Sequence, residues 1–240
     1  MSAVNTGSVP TTSSAPAAPT VLKREDNRII WLLLAAAFVA ILNETTMGVA
    51  IPHLITDLGI TAVDAQWLTT AFMLTMAIVI PTTGFLLQKF TTRQVFIAAM
   101  TLFSMGTLIA FLAGILGGPA YPQLLVARVV QASGTAIMMP LLMTTLMTLV
   151  PAHSRGRMMG RVSIVISLAP AIGPSVAGLL LDSVGWRWIF GMILPIALVS
   201  LAIGAKWVHN LAEPKDAPID VLSIILSCGS SARGTSRSPS

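Results

Sequence analysis

Two ionisable side chains lie within long apolar stretches of this sequence, where an unpaired charge is costly. Glu44 is flanked by Asn43, Thr45 and Thr46 in one stretch, and Arg128 lies in another. Charged groups at membrane depth are usually paired or hydrated, and they mark functional sites. A carboxylate in a poorly hydrated cavity near a guanidinium can bind and release a proton when access to the cavity changes. Glu44 and Arg128 are therefore a candidate proton-coupling site, and a static ion pair that fixes two helices together is the alternative.

The composition places these residues in a membrane protein. Of the 240 residues, 55% are hydrophobic and 10% are charged, and the mean hydropathy is +0.84, which excludes an ordinary soluble domain. Six apolar runs are long enough to cross about 30 Å of hydrocarbon, so the predicted fold class is an all-α membrane protein. The predicted spans are 29–52, 66–87, 95–116, 123–150, 158–181 and 189–207.

The distribution of lysine and arginine predicts the orientation of these spans. Basic residues in short loops stay on the cytoplasmic side. If the amino terminus is cytoplasmic, Arg187 is the one basic residue in the predicted outer loops. At about 1.5 Å per residue, Glu44 lies about 12 Å and Arg128 about 10 Å from the outer face, so their depths match. The sequence pI near 10.2 then reflects topology, and no nucleic-acid partner is expected. The cytoplasmic basic residues are Lys23, Arg24, Arg28, Lys89, Arg93, Arg155, Arg157, Arg161, Lys206 and Lys215.

The two ends of the chain differ in composition from the middle. Residues 1–28 are predicted to be a disordered cytoplasmic tail, because their first part is rich in Ser, Thr, Pro and Ala. The bundle is predicted over 29–208, with a cytoplasmic loop at 209–218 and the start of a seventh helix at 219–228. The polar residues 229–240 cannot complete that helix. We interpret them as a disordered tail after a truncation by frameshift, with a natural short tail as the alternative.

Other reactive residue types give no metal or cofactor prediction. The lone Cys228 and the three histidines show no metal-ligand spacing. The sequence offers no catalytic triad and no phosphate-binding loop, so no cofactor and no enzyme activity are predicted.

The fifth predicted span carries a ladder of small residues and prolines. Ala169, Gly173 and Ala177 recur at i, i+4 and i+8, which places them on one helix face and lets another helix approach closely. Pro170 and Pro174 lie in the same run, and prolines survive in a membrane helix only where neighbouring groups satisfy the freed backbone. Ordinary helix packing is the alternative explanation of the stripe.

This ladder resembles the helix-five antiporter motif of the fourteen-helix drug:proton antiporters in the major facilitator superfamily. The motif reads small-xxx-Gly-Pro-xx-Gly-Gly. Ala169, Gly173, Pro174 and Gly178 match it, while Ala177 replaces the first glycine of the final pair. The resemblance covers roughly residues 29–226.

The first span resembles the helix-one motif of the same antiporters, which reads Leu-Asp-x-Thr followed by Val-Ala-Leu-Pro. Thr45 and Pro52 match the motif. Asn43 replaces its aspartate, and the acid follows one place later as Glu44. The resemblance therefore implies a proton-coupling role for Glu44.

Two further motifs of the family follow in the expected order. Arg128, Gln131 and Gly134 match the helix-four motif, whose arginine is tied to proton coupling. The loop after the second span resembles the superfamily pattern Gly-x-Leu-x-Asp-x-x-Gly-Arg-Lys/Arg, which latches the two halves. A glycine at the helix end is expected to permit close backbone approach. Gly84 and Arg93 match this pattern, and Gln88 replaces its aspartate.

Together the motifs imply the amino-terminal half of a proton-coupled multidrug efflux antiporter. The resemblance implies a six-helix bundle of two inverted three-helix repeats, which works by alternating access in a bacterial plasma membrane. The implied partners are amphipathic drugs or lipophilic cations, protons, the lipid bilayer, and a missing carboxyl-terminal half or a second copy. The helix-five stripe is expected to seal against the missing half. Alternatives are a transporter of another solute and a truncated, non-transporting fragment.

Overall fold

All six predicted membrane helices are present. The structure is a computed structural model that describes residues 24–115 and 117–207. Each helix is long and apolar enough to cross a membrane. The predicted loop 209–218, the predicted seventh helix 219–228 and the predicted tail 229–240 lie outside the described residues, as do residues 1–23 of the predicted amino-terminal tail, whereas its residues 24–28 are helical. The helices are α1 Arg24–Leu58, α2 Ala62–Lys89, α3 Thr92–Leu112, α4 Ala120–Leu149, α5 Arg155–Ser183 and α6 Arg187–Trp207.

The helix ends differ from the predicted limits, most of all in α1. This helix begins at Arg24, before the predicted start, because Glu25 and Asp26 in its first turn complement the positive end of the helix dipole. It also continues through Pro52 to Leu58. Glu44 therefore lies about 21 Å along the helix from the end of α1, at about 1.5 Å per residue. The depth of Glu44 below the outer face therefore stays a prediction, because the end of α1 need not coincide with that face.

The pairing of helices has a two-fold pattern. Helix α2 packs on α4 in the way that α5 packs on α1, and α3 packs on α4 as α6 packs on α1. Two further pairs, α1 with α4 and α3 with α6, map onto themselves when the first three helices exchange with the last three, whereas the smaller contact of α1 with α2 has no counterpart of similar extent. This is the pattern expected of two three-helix repeats. Helices α1 and α4 are the most buried spans, so both candidate ionisable residues belong to the central pair.

Reciprocal arginine contacts tie the ends of α3 and α6 together. Arg93, in the first turn of α3, donates from Nη2 to the carbonyl oxygen of Ala205 near the end of α6, at 2.6 Å. Arg187, the first residue of α6, donates from Nε to the carbonyl oxygen of Ala113 just after α3, at 3.2 Å. A helix carboxyl end carries partial negative charge, so each cation stabilises the end of the other helix.

Helices α3 and α4 approach each other at backbone distance. A Cβ atom added to Gly106 would lie 2.7 Å from the Cβ of Gln131, and one added to Gly134 would lie 2.6 Å from the backbone nitrogen of Phe103. Neither position has room for a side chain. Two glycines from opposite helices therefore set the spacing of this pair.

We predict that Gly134→Ala destabilises the bundle, whereas Gly84→Ala does not. The added methyl group at 134 meets α3 backbone and should lower the free energy of unfolding by about 2 kcal/mol. A methyl group at 84 meets no atom within 4 Å, so this control gains only helix propensity, up to about 1 kcal/mol. Unfolding in mixed detergent micelles by titration with dodecyl sulfate measures both. Equal stability of the two variants would contradict the close α3–α4 contact.

Candidate functional site

The Arg128 side chain begins a buried polar relay from α4 to α3. Arg128 is 1% exposed, and its Nη1 donates to Oε1 of Gln131 at 2.8 Å. The Nε2 atom of Gln131 donates to Oγ1 of Thr107 at 2.8 Å, and Thr107 in turn donates to the carbonyl oxygen of Phe103 at 2.7 Å. Every link is a neutral group, so the relay orients the guanidinium without neutralising its charge.

An aromatic ring provides the other main contact of the guanidinium. The Cζ atom of Arg128 lies 4.0 Å from the ring centroid of Phe72 in α2. The ring face of a phenylalanine is electron-rich and attracts a cation. The Nε atom of Arg128 has no hydrogen-bond partner. The cation is thus held by one amide and one ring.

The polar side chains of the helix-one motif differ in how far they are buried. Asn43 is fully buried, and neither atom of its side-chain amide has a hydrogen-bond partner. Thr45 and Thr46 donate back to carbonyl groups of their own helix. Glu44 is half-buried and forms no hydrogen bond with the described residues. The residue that replaces the usual aspartate is therefore enclosed, while the acid beside it keeps access to the surroundings.

Glu44 and Arg128 lie on packed helices but do not form an ion pair. No side-chain nitrogen of Arg128 is within 4.0 Å of a Glu44 oxygen. The static ion pair considered from the sequence is therefore absent from this structure. The arrangement leaves a carboxylate under the influence of a nearby cation without direct pairing.

The helix-five stripe packs inside this bundle, which corrects the expectation that it seals against another half. Ala169, Gly173 and Ala177 are buried, and α5 packs mainly on α1. A Cβ atom added to Gly173 would overlap the Thr45 hydroxyl. The space over the stripe is occupied by Thr45, a residue of the helix-one motif in α1. The helix-one and helix-five motifs thus form one contact.

The other two motif residues of helix five point elsewhere. Pro174 is exposed and Gly178 is partly exposed, and a Cβ atom at Gly178 would meet nothing within 4 Å. One helical residue is about 100° of rotation, so neighbours of the buried stripe face away from α1. The motif therefore has an inner face of small residues and an outer face that includes both of these residues.

The loop motif after α2 differs from its expected geometry. Gly84 lies within α2, which continues to Lys89, and it is exposed with open space around it. The expected close backbone approach at Gly84 is wrong, because the glycine is not at the helix end. Gln88 is also exposed in the last turn of α2. Arg93 is the member of the motif with a partner, the end of α6.

Comparison with known proteins assigns the family. Residues 33–230 match the sequence profile of the Major Facilitator Superfamily. The chain belongs to the Major Facilitator Superfamily. It is an integral membrane protein of a transporter family.

The relatives within the superfamily include resistance proteins. The chain is 46% identical over 199 residues to the MFS-type transporter YcnB of Bacillus subtilis, a match that covers 83% of this chain and 41% of YcnB. It is 44% identical over 195 residues to the lincomycin resistance protein LmrB of the same organism, over 81% of this chain and 40% of LmrB. This chain therefore spans about two fifths of the length of these relatives.

A solved structure shares the fold. The peptide transporter POT, in its crystal structure in complex with sulfate, matches 86% of this chain and 44% of its own chain with a TM-score of 0.67. The sequence identity is 15%, so the likeness concerns the fold alone. It supports the six-helix bundle as the fold of this chain.

Two residues around Arg128 were missed by sequence reasoning: Phe72, which lies against the guanidinium, and Thr107, which bonds to Gln131. Thr107 carried a weak signal, because it is a polar residue next to Gly106 in an apolar helix. Phe72 carried none, since a phenylalanine in an apolar helix looks the same whether it faces lipid or a cation. Both matter because they complete the surroundings of the buried charge.

We predict that Gln131→Leu destabilises the bundle strongly. The change removes the acceptor of Arg128 and the donor to Thr107 within a buried site, and lost hydrogen bonds to charged groups cost about 2–3 kcal/mol. The control is Ser133→Ala, because Ser133 bonds only to the carbonyl of Val129 in its own helix. The free energy of unfolding in detergent micelles is measured. A Gln131→Leu protein as stable as the control would contradict the relay.

We also predict that Gly173→Ala is destabilising and that Thr45→Ala partly rescues it. A methyl group at 173 overlaps the Thr45 side chain and should cost about 1–3 kcal/mol, whereas Gly178→Ala adds a methyl group in open space. Removing the Thr45 hydroxyl makes room, so the double variant should be more stable than the sum of the single changes. Strict additivity would show that the two helices do not touch here.

Proposed function

We propose that this chain forms the amino-terminal half of a proton-coupled multidrug efflux antiporter that works by alternating access. Glu44 exchanges the proton, and Arg128 is the cation with which its charged form interacts. The single observation that carries the proposal is that Glu44 and Arg128 lie on packed central helices without an ion pair. A paired carboxylate would be held in its charged form, whereas a half-buried, unpaired one can take up a proton.

The surroundings of the two residues support an exchange cycle. Glu44 is half-buried and reachable, while Arg128 is enclosed and fixed by Gln131 and Phe72. A fixed cation beside a reachable acid lets the carboxylate change its charge without moving the bundle. Protonation removes the attraction between the two residues, and deprotonation restores it. This change of interaction is the means by which a proton can bias one conformation over another.

The proposed substrates are amphipathic drugs or lipophilic cations. LmrB, to which the chain is 44% identical, is named a lincomycin resistance protein. The substrate would bind between this half and a carboxyl-terminal half or a second copy, near the middle of the membrane. The outer face of α5 and the largely unburied helix α2 supply surface for such a partner. We place the protein in a bacterial plasma membrane with a cytoplasmic amino terminus, because basic residues cluster on that side.

The test uses cells that lack their own efflux pumps. This chain is expressed alone, or with its described helices replacing the segment of LmrB that they match. We expect no efflux of ethidium, a lipophilic cation, from the chain alone, and efflux that a protonophore abolishes from the chimera. Glu44→Gln should reduce the chimera to background. Asp57→Asn is the control, because Asp57 is an exposed carboxylate on the same helix and should retain efflux.

Other outcomes decide against particular parts of the proposal. Robust efflux by the chain alone would show that it needs no further half. Efflux that survives in Glu44→Gln would remove Glu44 from proton coupling. A chimera that exports no drug but moves another solute would favour a transporter of different specificity.

A further inference from the structure

The Arg128 guanidinium has an unusual set of partners for a buried cation. Arg128 is almost completely enclosed. Its Nη1 donates a hydrogen bond to the Gln131 amide oxygen at 2.8 Å, and its Cζ lies 4.0 Å from the centroid of the Phe72 ring. Buried charges are normally paired with an opposite charge, because desolvation of an unpaired ion is expensive. Here the guanidinium contacts the Phe72 ring, and no carboxylate of the described residues pairs with it.

Among the described residues of the helices that pack on α4, Glu44 is the carboxylate that lies away from the helix ends. Helices α1, α2 and α3 pack against α4. Among the described residues, the other charged groups of these helices lie near helix ends: Arg24, Glu25, Asp26, Arg28, Asp57, Asp64, Lys89 and Arg93. A guanidinium released from the ring would therefore turn towards Glu44 on α1, the helix packed against α4.

We propose that Phe72 is a positioning residue whose ring face holds the Arg128 guanidinium apart from Glu44, so that the acid of α1 stays free to exchange a proton. This role rests on the proposed function, and it deepens that function by naming the group that prevents a permanent ion pair. The ring attracts the cation by its quadrupole and adds no charge of its own. It stabilises the buried guanidinium without competing for the proton.

Direct distance measurement in the 240-residue protein tests the positioning role. Only three glutamates occur in the chain, so dipolar-recoupling NMR between guanidinium ¹⁵N and glutamate ¹³Cδ in lipid nanodiscs is well resolved, with Glu44→Gln as the assignment variant. The wild-type protein should show no contact within 4.0 Å. In Phe72→Leu we expect a new short contact between Arg128 and Glu44. Phe72→Tyr and Phe72→Trp retain a ring face and should keep the wild-type pattern.

A matched control and a graded probe separate the ring charge distribution from packing. Phe96 is a fully buried phenylalanine packed against Gly204, so Phe96→Leu loses a similar ring without affecting the Arg128–Glu44 distance. If Phe72→Leu does not fold, stepwise fluorination of the Phe72 ring weakens the ring face at nearly constant size. The short contact should then grow with each fluorine. An unchanged distance in Phe72→Leu, or across the fluorinated series, overturns the proposal.

Efflux by the LmrB chimera supplies the functional readout. Phe72→Leu should lower proton-coupled efflux by about tenfold, and Phe72→Tyr should restore most of it. A new Arg128–Glu44 contact without efflux in any variant would support positioning and contradict the proposed function. Glu44-dependent efflux without a new contact in Phe72→Leu would support the proposed function and overturn the positioning role.

Discussion

The bundle is organised around a positive charge that is buried without a carboxylate beside it. In lipid, a polar group has no water to turn to, so the protein must supply every partner itself. The Arg128 cation depends on three helices, because Phe72 of α2 and Gln131 of α4 contact it and Thr107 of α3 bonds to Gln131. Correct placement of one side chain therefore requires correct packing of half the bundle. The same arrangement leaves the acid of α1 unpaired.

The glycines of α3 and α4 make the relay possible. Gln131 reaches Thr107 because Gly106 and Gly134 bring the two backbones together. A larger residue at either position would separate the helices, and a separation of even one ångström would stretch a hydrogen bond of 2.8 Å beyond its useful range. The glycine of the helix-four motif thus serves the arginine of the same motif, although the two do not touch. Packing and charge placement form a single constraint here.

Much of the fold could be predicted from the sequence, and much of the site could not. Hydropathy located all six helices, because a membrane span must be apolar over its whole length. Hydropathy did not locate the helix ends. For example, α1 continues past Pro52 to Leu58. The small-residue stripe around Gly173 indicated close packing but not its partner, which is a property of tertiary structure. Phe72 gave no signal, because its role depends on one neighbour from another helix.

The position of α1 restricts how proton exchange can drive movement. On one side the Thr45 side chain lies against the Gly173 backbone with no space for a methyl group, and on other sides α1 packs on α4 and α6. A rotation of α1 by one residue, about 100°, would push side chains into the α5 backbone. The reciprocal arginines also hold α3 and α6 at both ends. Interfaces packed at backbone distance do not deform gradually. A change at Glu44 is therefore expected to act through side-chain rearrangement, while the six helices move as one body relative to any partner.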